Sequence, residues 1–134
     1  MSQVLRSRQL PVSADRAWAL IGQPSSISQW HPAITESPVE GSKRSCTLAD
    51  GARIEEEIRE HDDHKRSYTY VITGGPLPVK DYASTLKVKA VGEEACLVEW
   101  AASFEALAPA NEVEAMVGGV YDAGLDAVAR ALEA

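Results

Sequence analysis

A glutamate lies where a predicted strand should turn apolar side chains toward the core. Within residues 52–61 the side chains alternate: one face carries only charged groups and a histidine, whereas Ile54, Glu56 and Ile58 share the other. Successive side chains of a strand point to opposite faces, so the wholly polar face must be the one in water. Glu56 is therefore predicted to lie inside. Because a buried carboxylate needs a partner, a proton or enclosed water, the pattern predicts a polar site within the protein.

Two residues could perform proton transfer in such a site. Glu56 could act as a general base, or could anchor a hydroxyl or amine of a ligand. His31 follows the apolar residues Ile27 and Trp30 and could donate a hydrogen bond to a ligand carbonyl. Each residue has a structural alternative: Glu56 bonded to a nearby tyrosine or arginine, and His31 packed with a hydrogen bond to a backbone carbonyl. The sequence leaves both alternatives open.

Aromatic and hydroxyl-bearing side chains occupy the inner faces of three further predicted strands. By alternation within these strands, the inward set comprises Tyr68, Tyr70, Tyr82, Ser84, Trp100 and Phe104. Large aromatic walls with a few polar groups are typical of small-molecule cavities. The tyrosine hydroxyls could polarise a carbonyl group, although aromatic side chains are also ordinary core residues. With a carboxylate nearby, the pattern favours a lined cavity.

Turn signals and periodicity predict the elements that must position these side chains. A first strand is predicted at 3–10, followed by a short helix capped by Ser13 and ended by Gly22. A second short helix begins at Pro24 and stops at Pro32. Short turns then separate consecutive strand-like segments, which indicates antiparallel pairing. These segments are residues 35–40, 44–49, 52–61, 65–73, 80–91 and 94–106.

A long helix is predicted to follow Pro109 and to form the last element, with Asn111 as its cap. Its apolar stripe comprises Val113, Val117, Val120, Tyr121, Gly124, Val128 and Leu132. All four tyrosines of the chain therefore point inward. Glycine in a helix interior costs up to about 1 kcal/mol per site, so the three glycines of this helix indicate either close packing or space for a cavity. Gly119 is predicted to border that cavity.

Composition narrows the functional classes. The 13 Lys and Arg against 20 Asp and Glu give a net charge of −7, which disfavours binding to nucleic acid or anionic membranes. No segment is apolar enough to predict stable membrane insertion, and the first residues lack the apolar core of an export signal. Cys46 and Cys96 are interpreted as reduced, packed thiols, and neither a metal nor a cofactor is predicted. We expect a cytoplasmic protein of one domain, residues 1–134.

Several short motifs accompany this order of elements. They are residues 11–18, Trp30-His31-Pro32, Glu56-Glu57-Ile58, Tyr68-Thr69-Tyr70, Leu77-Pro78-Val79 with Tyr82, and Trp100 with Phe104. Together they resemble the START-related SRPBCC superfamily over essentially the whole chain, closest to its polyketide cyclase/dehydratase and lipid-transport group. The resemblance implies an α+β helix-grip fold, related to the birch-pollen allergens. In that fold a curved seven-stranded antiparallel sheet wraps around the C-terminal helix, two short helices follow strand 1, and a ligand cavity lies between sheet and helix.

One loop resembles the proline-containing gate of the plant abscisic-acid receptors in that superfamily. It reads Gly75-Pro76-Leu77-Pro78 between two predicted strands. The His-Arg-Leu latch of those receptors has no counterpart here, since the turn at 61–66 reads His-Asp-Asp-His-Lys-Arg. The resemblance therefore implies a possible lid over the cavity, and not hormone-receptor switching.

The leading hypothesis is binding or transport of a small hydrophobic or aromatic ligand in the internal cavity, without a cofactor. The predicted ligand-binding residues are Trp30, Glu56, Tyr68, Tyr70, Leu77, Pro78, Tyr82, Trp100, Phe104, Val117, Val120 and Tyr121. The alternative is a cofactor-free cyclase, dehydratase or isomerase that uses Glu56 and His31 for proton transfer. A third hypothesis is an interaction protein with a filled core, whose acidic surface meets a basic partner.

Overall fold

The chain folds into one antiparallel sheet that packs against helices. Its structure, a computed structural model, describes residues 1–133. In chain order the elements are β1 (Ser2–Leu10), α1 (Ala14–Ile21), a 3₁₀ turn (Pro24–Ser26), α2 (Ile27–Trp30), β2 (Ile34–Glu36), β3 (Val39–Glu40), β4 (Lys43–Leu48), β5 (Arg53–Asp62), β6 (Ser67–Gly74), β7 (Val79–Gly92), β8 (Ala95–Ala106) and α3 (Ala110–Glu133). The predicted order of one strand, two short helices, a run of strands and a long helix is confirmed.

Within residues 1–133 the sheet has eight strands in the order β1-β8-β7-β6-β5-β4-β2, and β3 also pairs with β4. All of these pairs are antiparallel. The predicted strand at 35–40 is divided into β2 and β3 at Ser37 and Pro38, which accounts for the eighth strand. Proline has no N–H to donate to a sheet, so it interrupts the pairing there. The helix-grip fold predicted from the sequence is confirmed.

The two short helices begin at the predicted residues. The Ser13 side chain caps α1 by accepting a hydrogen bond from the Arg16 backbone N–H at 3.2 Å. The Gly22 N–H closes the helix on the Trp18 carbonyl at 2.7 Å. Pro24 opens the 3₁₀ turn that leads into α2. These elements place His31, the residue after α2, in the protein interior at 2% exposure.

The long helix α3 differs from the prediction at its first turn. It begins at Ala110, and the Val113 N–H donates to the Pro109 carbonyl at 3.2 Å. Asn111 therefore lies inside the first turn, and its predicted role as the cap is wrong. A proline suits the start of a helix because its missing N–H would have no partner there.

The apolar stripe of α3 faces the sheet and the short helices, as predicted, except at one position. Val113, Val117, Tyr121 and Val128 are buried, whereas Val120 is 39% exposed and lies at the edge of the stripe. No helix within the described range combines the length and the apolar character needed to cross a membrane.

Candidate ligand cavity

A cavity of about 380 Å³ lies between α3 and the sheet. Its walls come from α2, from β2, from β4 through β8 and from α3. The cavity therefore lies in the interior of the protein, next to the inner face of the sheet. The lining residues are Ile27, His31, Ala33, Ile34, Cys46, Leu48, Ala49, Asp50, Ile54, Glu56, Tyr70, Ile72, Leu77, Tyr82, Trp100, Met116, Val117, Val120 and Tyr121. Most of these side chains are apolar. One water takes up roughly 30 Å³ in the liquid, so this space is far too large to count as a packing defect.

The cavity has an exposed mouth. Five of its lining residues are exposed to solvent, namely Ala33, Ala49, Asp50, Met116 and Val120. Two of them lie on α3, two lie in the turn between β4 and β5, and one lies between α2 and β2. A molecule could therefore reach the cavity without unfolding the sheet. Val120 lies at this mouth, which explains why it is exposed while most of the apolar stripe of α3 is buried.

The structure brings together most of the residues predicted to form the site. Glu56, His31, Tyr70, Leu77, Tyr82, Trp100, Val117, Val120 and Tyr121 all line the cavity. Four others are not among its lining residues, namely Trp30, Tyr68, Pro78 and Phe104.

Trp30 and Phe104, which do not line the cavity, pack against aromatic rings that do. Trp30 is buried and meets Trp100 edge-on, with ring centroids 5.7 Å apart. Phe104 is fully buried and stacks on Tyr82 at 5.8 Å. Both therefore support cavity-lining rings from behind, as ordinary aromatic core residues do.

The other two non-lining residues are held by hydrogen bonds of their own. The Tyr68 hydroxyl accepts a hydrogen bond from Arg44 Nη1 at 3.2 Å. The Pro78 carbonyl accepts from the Leu107 N–H at 2.8 Å, beside the first pairing of β7 with β8. Of the two predicted ligand-binding residues in the loop, Leu77 therefore lines the cavity, whereas Pro78 makes a hydrogen bond at the end of the sheet.

Glu56 lies on the inner face of β5, as its alternation with Ile54 and Ile58 predicted, and it is 7% exposed. Its Oε1 accepts a hydrogen bond from Arg44 Nε at 2.7 Å and one from the Cys46 thiol at 3.2 Å. We call Arg44, Cys46 and Glu56 the ion-pair region. Of the two interpretations that the sequence left open, an arginine partner is present, and the carboxylate also borders the cavity.

Arg44 is the site residue that sequence reasoning missed. It stands directly opposite Glu56 in the pairing of β4 with β5, and it is fully buried. Its Nη1 also donates to the Pro24 carbonyl at 2.8 Å, whereas its Nη2 has no partner among residues 1–133. The signal was present in β4, where Arg44 shares one face with Cys46 and Leu48. A cation on an apolar face, beside a strand with an inward carboxylate, indicates a pair.

The Cys46 thiol stays protonated next to this pair. Burial raises its pKa to about 12, and the negative charge of Glu56 adds to the effect. A protonated thiol can donate a weak hydrogen bond, which matches its contact with Glu56. Cys46 and Cys96 are both buried and free, as predicted. No group of three potential metal ligands occurs within the described part of the chain.

A cluster of hydroxyl groups forms the second polar region at the cavity, and all of its members except Ser84 are lining residues. Tyr121 shares hydrogen bonds with Tyr82 and, at 2.8 Å, with Ser84. The Trp100 indole N–H donates to Ser84 at 3.1 Å and to Tyr70 at 3.2 Å. We call Tyr70, Tyr82, Ser84 and Tyr121 the hydroxyl cluster. Burial raises the pKa of all three tyrosines, so their hydroxyls remain neutral at ordinary pH.

His31 borders the cavity, but both of its ring nitrogens are occupied by the backbone. Nδ1 accepts a hydrogen bond from the Ala33 N–H at 3.1 Å, and Nε2 lies 2.7 Å from the Val120 carbonyl. The pattern requires the neutral ring with its proton on Nε2. Burial also lowers the pKa of His31. His31 therefore has no free N–H for a ligand carbonyl, and the predicted proton-transfer pair with Glu56 is not assembled.

Gly119 was predicted to border the cavity, but in the structure it does not, and Gly124 is the glycine with a packing role. Gly119 is exposed, and a Cβ placed there would meet nothing within 4 Å. It is not among the lining residues of the cavity, so its predicted position was wrong. A Cβ at Gly124 would lie 2.7 Å from His31 and 2.9 Å from Trp100. Gly124 is the glycine that lets the helix approach the aromatic wall.

Comparison with known proteins gives a consistent result. Residues 1–133 match a family model described as polyketide cyclase/dehydrase and lipid transport. Among solved structures, the protein XoxI from Bacillus cereus is 32% identical with a TM-score of 0.95, covering 98% of this chain and 95% of that chain. No curated protein matches the chain in sequence.

More distant structures share the fold alone. A START superfamily protein from Mycobacterium smegmatis is 12% identical with a TM-score of 0.82, covering 98% of this chain and 97% of that chain. Norcoclaurine synthase from Thalictrum flavum, solved in complex with dopamine and hydroxybenzaldehyde, is 16% identical with a TM-score of 0.77. That match covers 98% of this chain and 86% of the synthase chain.

Proposed function

The chain belongs to the polyketide cyclase/dehydrase and lipid-transport family, and we propose that it binds a small, largely apolar molecule in the cavity between the sheet and α3. The observation that carries the proposal is the cavity itself, about 380 Å³ and walled mostly by apolar side chains. Small-molecule sites typically span about 300–1,000 Å³. The third hypothesis, an interaction protein, required a core filled by side chains, and the cavity does not fit that requirement.

The polar groups of the wall support binding because they are fixed before a ligand arrives. Arg44 holds Glu56 at 2.7 Å, and Trp100 holds the hydroxyls of Tyr70 and Ser84 at 3.2 and 3.1 Å. A site whose side chains are already ordered loses less conformational entropy when the ligand binds. Such a wall selects a ligand by the position of its polar atoms, while apolar contact supplies most of the affinity.

The same geometry favours binding over proton transfer. His31 is bonded on both ring nitrogens, so it cannot serve as the acid without breaking a backbone hydrogen bond. The Oε1 of Glu56 already accepts a hydrogen bond from the Arg44 guanidinium at 2.7 Å. A general base and a general acid must both reach the reacting atoms, and the predicted pair does not meet this condition.

The second candidate is a cofactor-free cyclase or dehydratase, favoured by one observation. The Glu56 carboxylate and the hydroxyls of Tyr70, Tyr82 and Tyr121 border the same cavity, so a hydrogen-bond acceptor and several donors face one ligand. Hydroxyl donors of this kind can stabilise developing charge on a carbonyl oxygen. Glu56→Gln separates the two functions. A binding protein should lose at most about 1–3 kcal/mol of affinity, whereas an enzyme with Glu56 as base should lose about 100-fold or more in turnover.

The primary test identifies a ligand and then blocks its path. Native mass spectrometry of the protein purified from its own source should reveal a co-purified small molecule. Val120→Trp should obstruct the mouth and weaken binding of that molecule at least tenfold. Gly119→Trp is the matched control, because it adds the same side chain one residue away on the solvent-exposed face. Equal loss in both variants, or no loss in either, would count against the cavity as the binding site.

A further inference from the structure

His31 connects two sides of the cavity mouth. Its Nδ1 accepts a hydrogen bond from the Ala33 N–H at 3.1 Å, and its Nε2 donates one to the Val120 carbonyl at 2.7 Å. Ala33 lies between α2 and β2, Val120 lies on α3, and both are exposed lining residues of the cavity. One buried side chain therefore joins the α2–β2 link to the long helix where the cavity meets solvent. We call His31, Ala33 and Val120 the mouth clamp.

The contact of the clamp with α3 depends on a glycine. In an α-helix each Cα–Cβ bond tilts toward the N-terminal end, so a side chain at position 124 would lie over the Val120 carbonyl, one turn earlier. Position 124 is a glycine, and a Cβ there would lie 2.7 Å from His31 Cδ2, the ring carbon bonded to Nε2. The missing side chain of Gly124 therefore leaves the Val120 carbonyl open to the imidazole.

The clamp requires a neutral imidazole. A neutral ring has one nitrogen that donates and one that accepts, whereas a protonated ring donates from both. Protonation of Nδ1 would place an N–H against the Ala33 N–H, so that bond would be lost. The bond from Nε2 to the Val120 carbonyl would be kept. A proton on His31 therefore separates the two sides of the mouth at Ala33.

The ring is packed among uncharged groups. Trp30 of α2 and Trp100 of β8 lie against it, with ring centroids 5.9 and 6.1 Å from that of His31. Burial lowers the pKa of His31, and the Val120 carbonyl partly offsets this. The neutral ring, and with it the closed clamp, is therefore the form present at neutral pH.

No titratable side chain among residues 1–133 is bonded to the ring. The charged lining residues, Asp50 and Glu56, do not contribute to the pKa of His31. On α3, Tyr121 keeps its proton because burial raises its pKa. The charged residues of the elements next to the ring are exposed or half-buried, namely Glu36 of β2, Glu99 and Glu105 of β8, and Glu112, Glu114, Asp122, Asp126, Arg130 and Glu133 of α3.

We propose that His31 is an acid-sensitive gate of the cavity, and that protonation of its ring releases Ala33 and opens the mouth between the α2–β2 link and α3. The inference rests on the proposed function, because a gate matters only where a ligand enters. The closed mouth retains a bound ligand at neutral pH. The gate opens below the usual histidine value of about pH 6.5, and the ligand then leaves faster.

Hydrogen exchange at the Ala33 amide tests the opening without any ligand. This N–H is protected while it is bonded to His31. Its protection, measured by NMR against the intrinsic exchange rate at each pH, should fall by up to about tenfold per pH unit between pH 7.5 and 5.5, because the protonated fraction of a histidine rises by that factor above its pKa. The ¹⁵N shifts of the ring report its protonation in the same samples. The amides of β8 report global unfolding and should keep their protection.

Release of a probe tests whether the gate controls ligand exchange. N-Phenyl-1-naphthylamine is an apolar fluorescent molecule that stays uncharged over this pH range. Its release from the unmodified protein, followed by stopped-flow fluorescence, should accelerate in parallel with the opening at Ala33. Release from His31→Gln should not change with pH, because the titrating ring is gone. His64→Gln is the matched control, since it makes the same substitution in an exposed turn, and it should behave as the unmodified protein does.

The outcomes separate the gate from binding itself. Constant protection at Ala33 while the ring becomes protonated, or an equal loss of protection in β8, would overturn the gate. A ring that remains neutral until the chain unfolds would overturn it too. Failure of the probe to bind at pH 7.5 would count against the proposed function, whereas exchange at Ala33 would still decide whether the mouth opens. Since exchange is measured in the unmodified protein, the test decides even where His31→Gln does not fold.

Discussion

In the ion-pair region two charges meet across neighbouring strands, whereas the hydroxyl cluster draws its members from β6, β7 and α3. Arg44 and Glu56 neutralise each other within the protein. The hydroxyl cluster carries no charge, and its members are held by hydrogen bonds to one another and to the Trp100 indole. A buried charge without a partner is far more costly than a buried hydroxyl without one, so the pairing of Arg44 with Glu56 should matter more for stability than the bonds among the hydroxyls. We interpret the ion-pair region as the stronger support of the fold, although residues of both regions line the cavity.

The largest effect expected from this contrast follows Glu56→Leu. The substitution leaves the Arg44 guanidinium buried without its counterion, and such a loss typically costs about 3–5 kcal/mol of unfolding free energy. Arg44→Met combined with Glu56→Leu should recover most of that loss, because no charge then remains buried. Urea denaturation measures both.

The exposed ion pair between Arg8 and Asp126 supplies the control. Its side chains are 44% and 55% exposed, so Asp126→Ala should cost no more than about 1 kcal/mol. If Glu56→Leu cost as little as Asp126→Ala, the ion-pair region would not be the scaffold of the site.

The contrast also explains what could be predicted from the sequence. The inward position of Glu56 depends only on alternation within one strand, and that signal is local. Its pairing with Arg44 depends on the register between β4 and β5, which the turn between them sets. The hydroxyl cluster could be predicted as a set of inward side chains. Its hydrogen bonds could not, because they depend on how α3 lies on the sheet.

The Gly119 error has a similar physical origin. Successive helical residues differ by about 100° around the axis, so a misplacement by one residue turns a side chain from the core to solvent. Around Gly118 and Gly119 two small residues are adjacent, and neither offers an apolar contrast that would fix the register. Val120, the next residue, lies at the edge of the stripe, where it is 39% exposed and still lines the cavity.

Gly124→Ala tests how closely α3 must approach the rings of Trp100 and His31. The new Cβ would lie 2.9 Å from the Trp100 ring and 2.7 Å from His31, so these rings must move. We expect a loss of about 1–3 kcal/mol in unfolding free energy, the usual cost of overpacking. Gly119→Ala is the control and should stabilise the helix by up to about 1 kcal/mol, because its Cβ meets open space. Thermal or urea unfolding of both variants measures the difference, and a neutral Gly124→Ala would mean that α3 can shift freely.

Acidification should weaken the fold through His31. Burial lowers the pKa of His31 in the folded protein, so below about pH 6.5, the usual value for histidine, the unfolded chain binds more protons than the folded one. The contribution of His31 is therefore complete above that pH. It falls as the pH drops toward the folded pKa, by at most about 1.4 kcal/mol per pH unit.

The His31→Gln variant isolates this contribution. Its unfolding free energy should decline less between pH 7.5 and 5.5 than that of the unmodified protein, whatever its stability at neutral pH. His64, an exposed residue in a turn, is the control, and His64→Gln should leave the slope unchanged. Parallel slopes for all three proteins would show that the buried ring is not held neutral.

Tyr121→Phe should give the smallest of these effects and so completes the contrast with Glu56→Leu. Removing the Tyr121 hydroxyl breaks its bonds to Tyr82 and Ser84. Ser84 still accepts from the Trp100 N–H, and the Tyr82 hydroxyl borders a cavity that water can enter. Since no charge is stranded, we expect a loss of about 1 kcal/mol in unfolding free energy, typical of a neutral hydrogen bond. A loss in urea denaturation as large as that of Glu56→Leu would mean that the hydroxyl cluster supports the fold as strongly as the ion-pair region does.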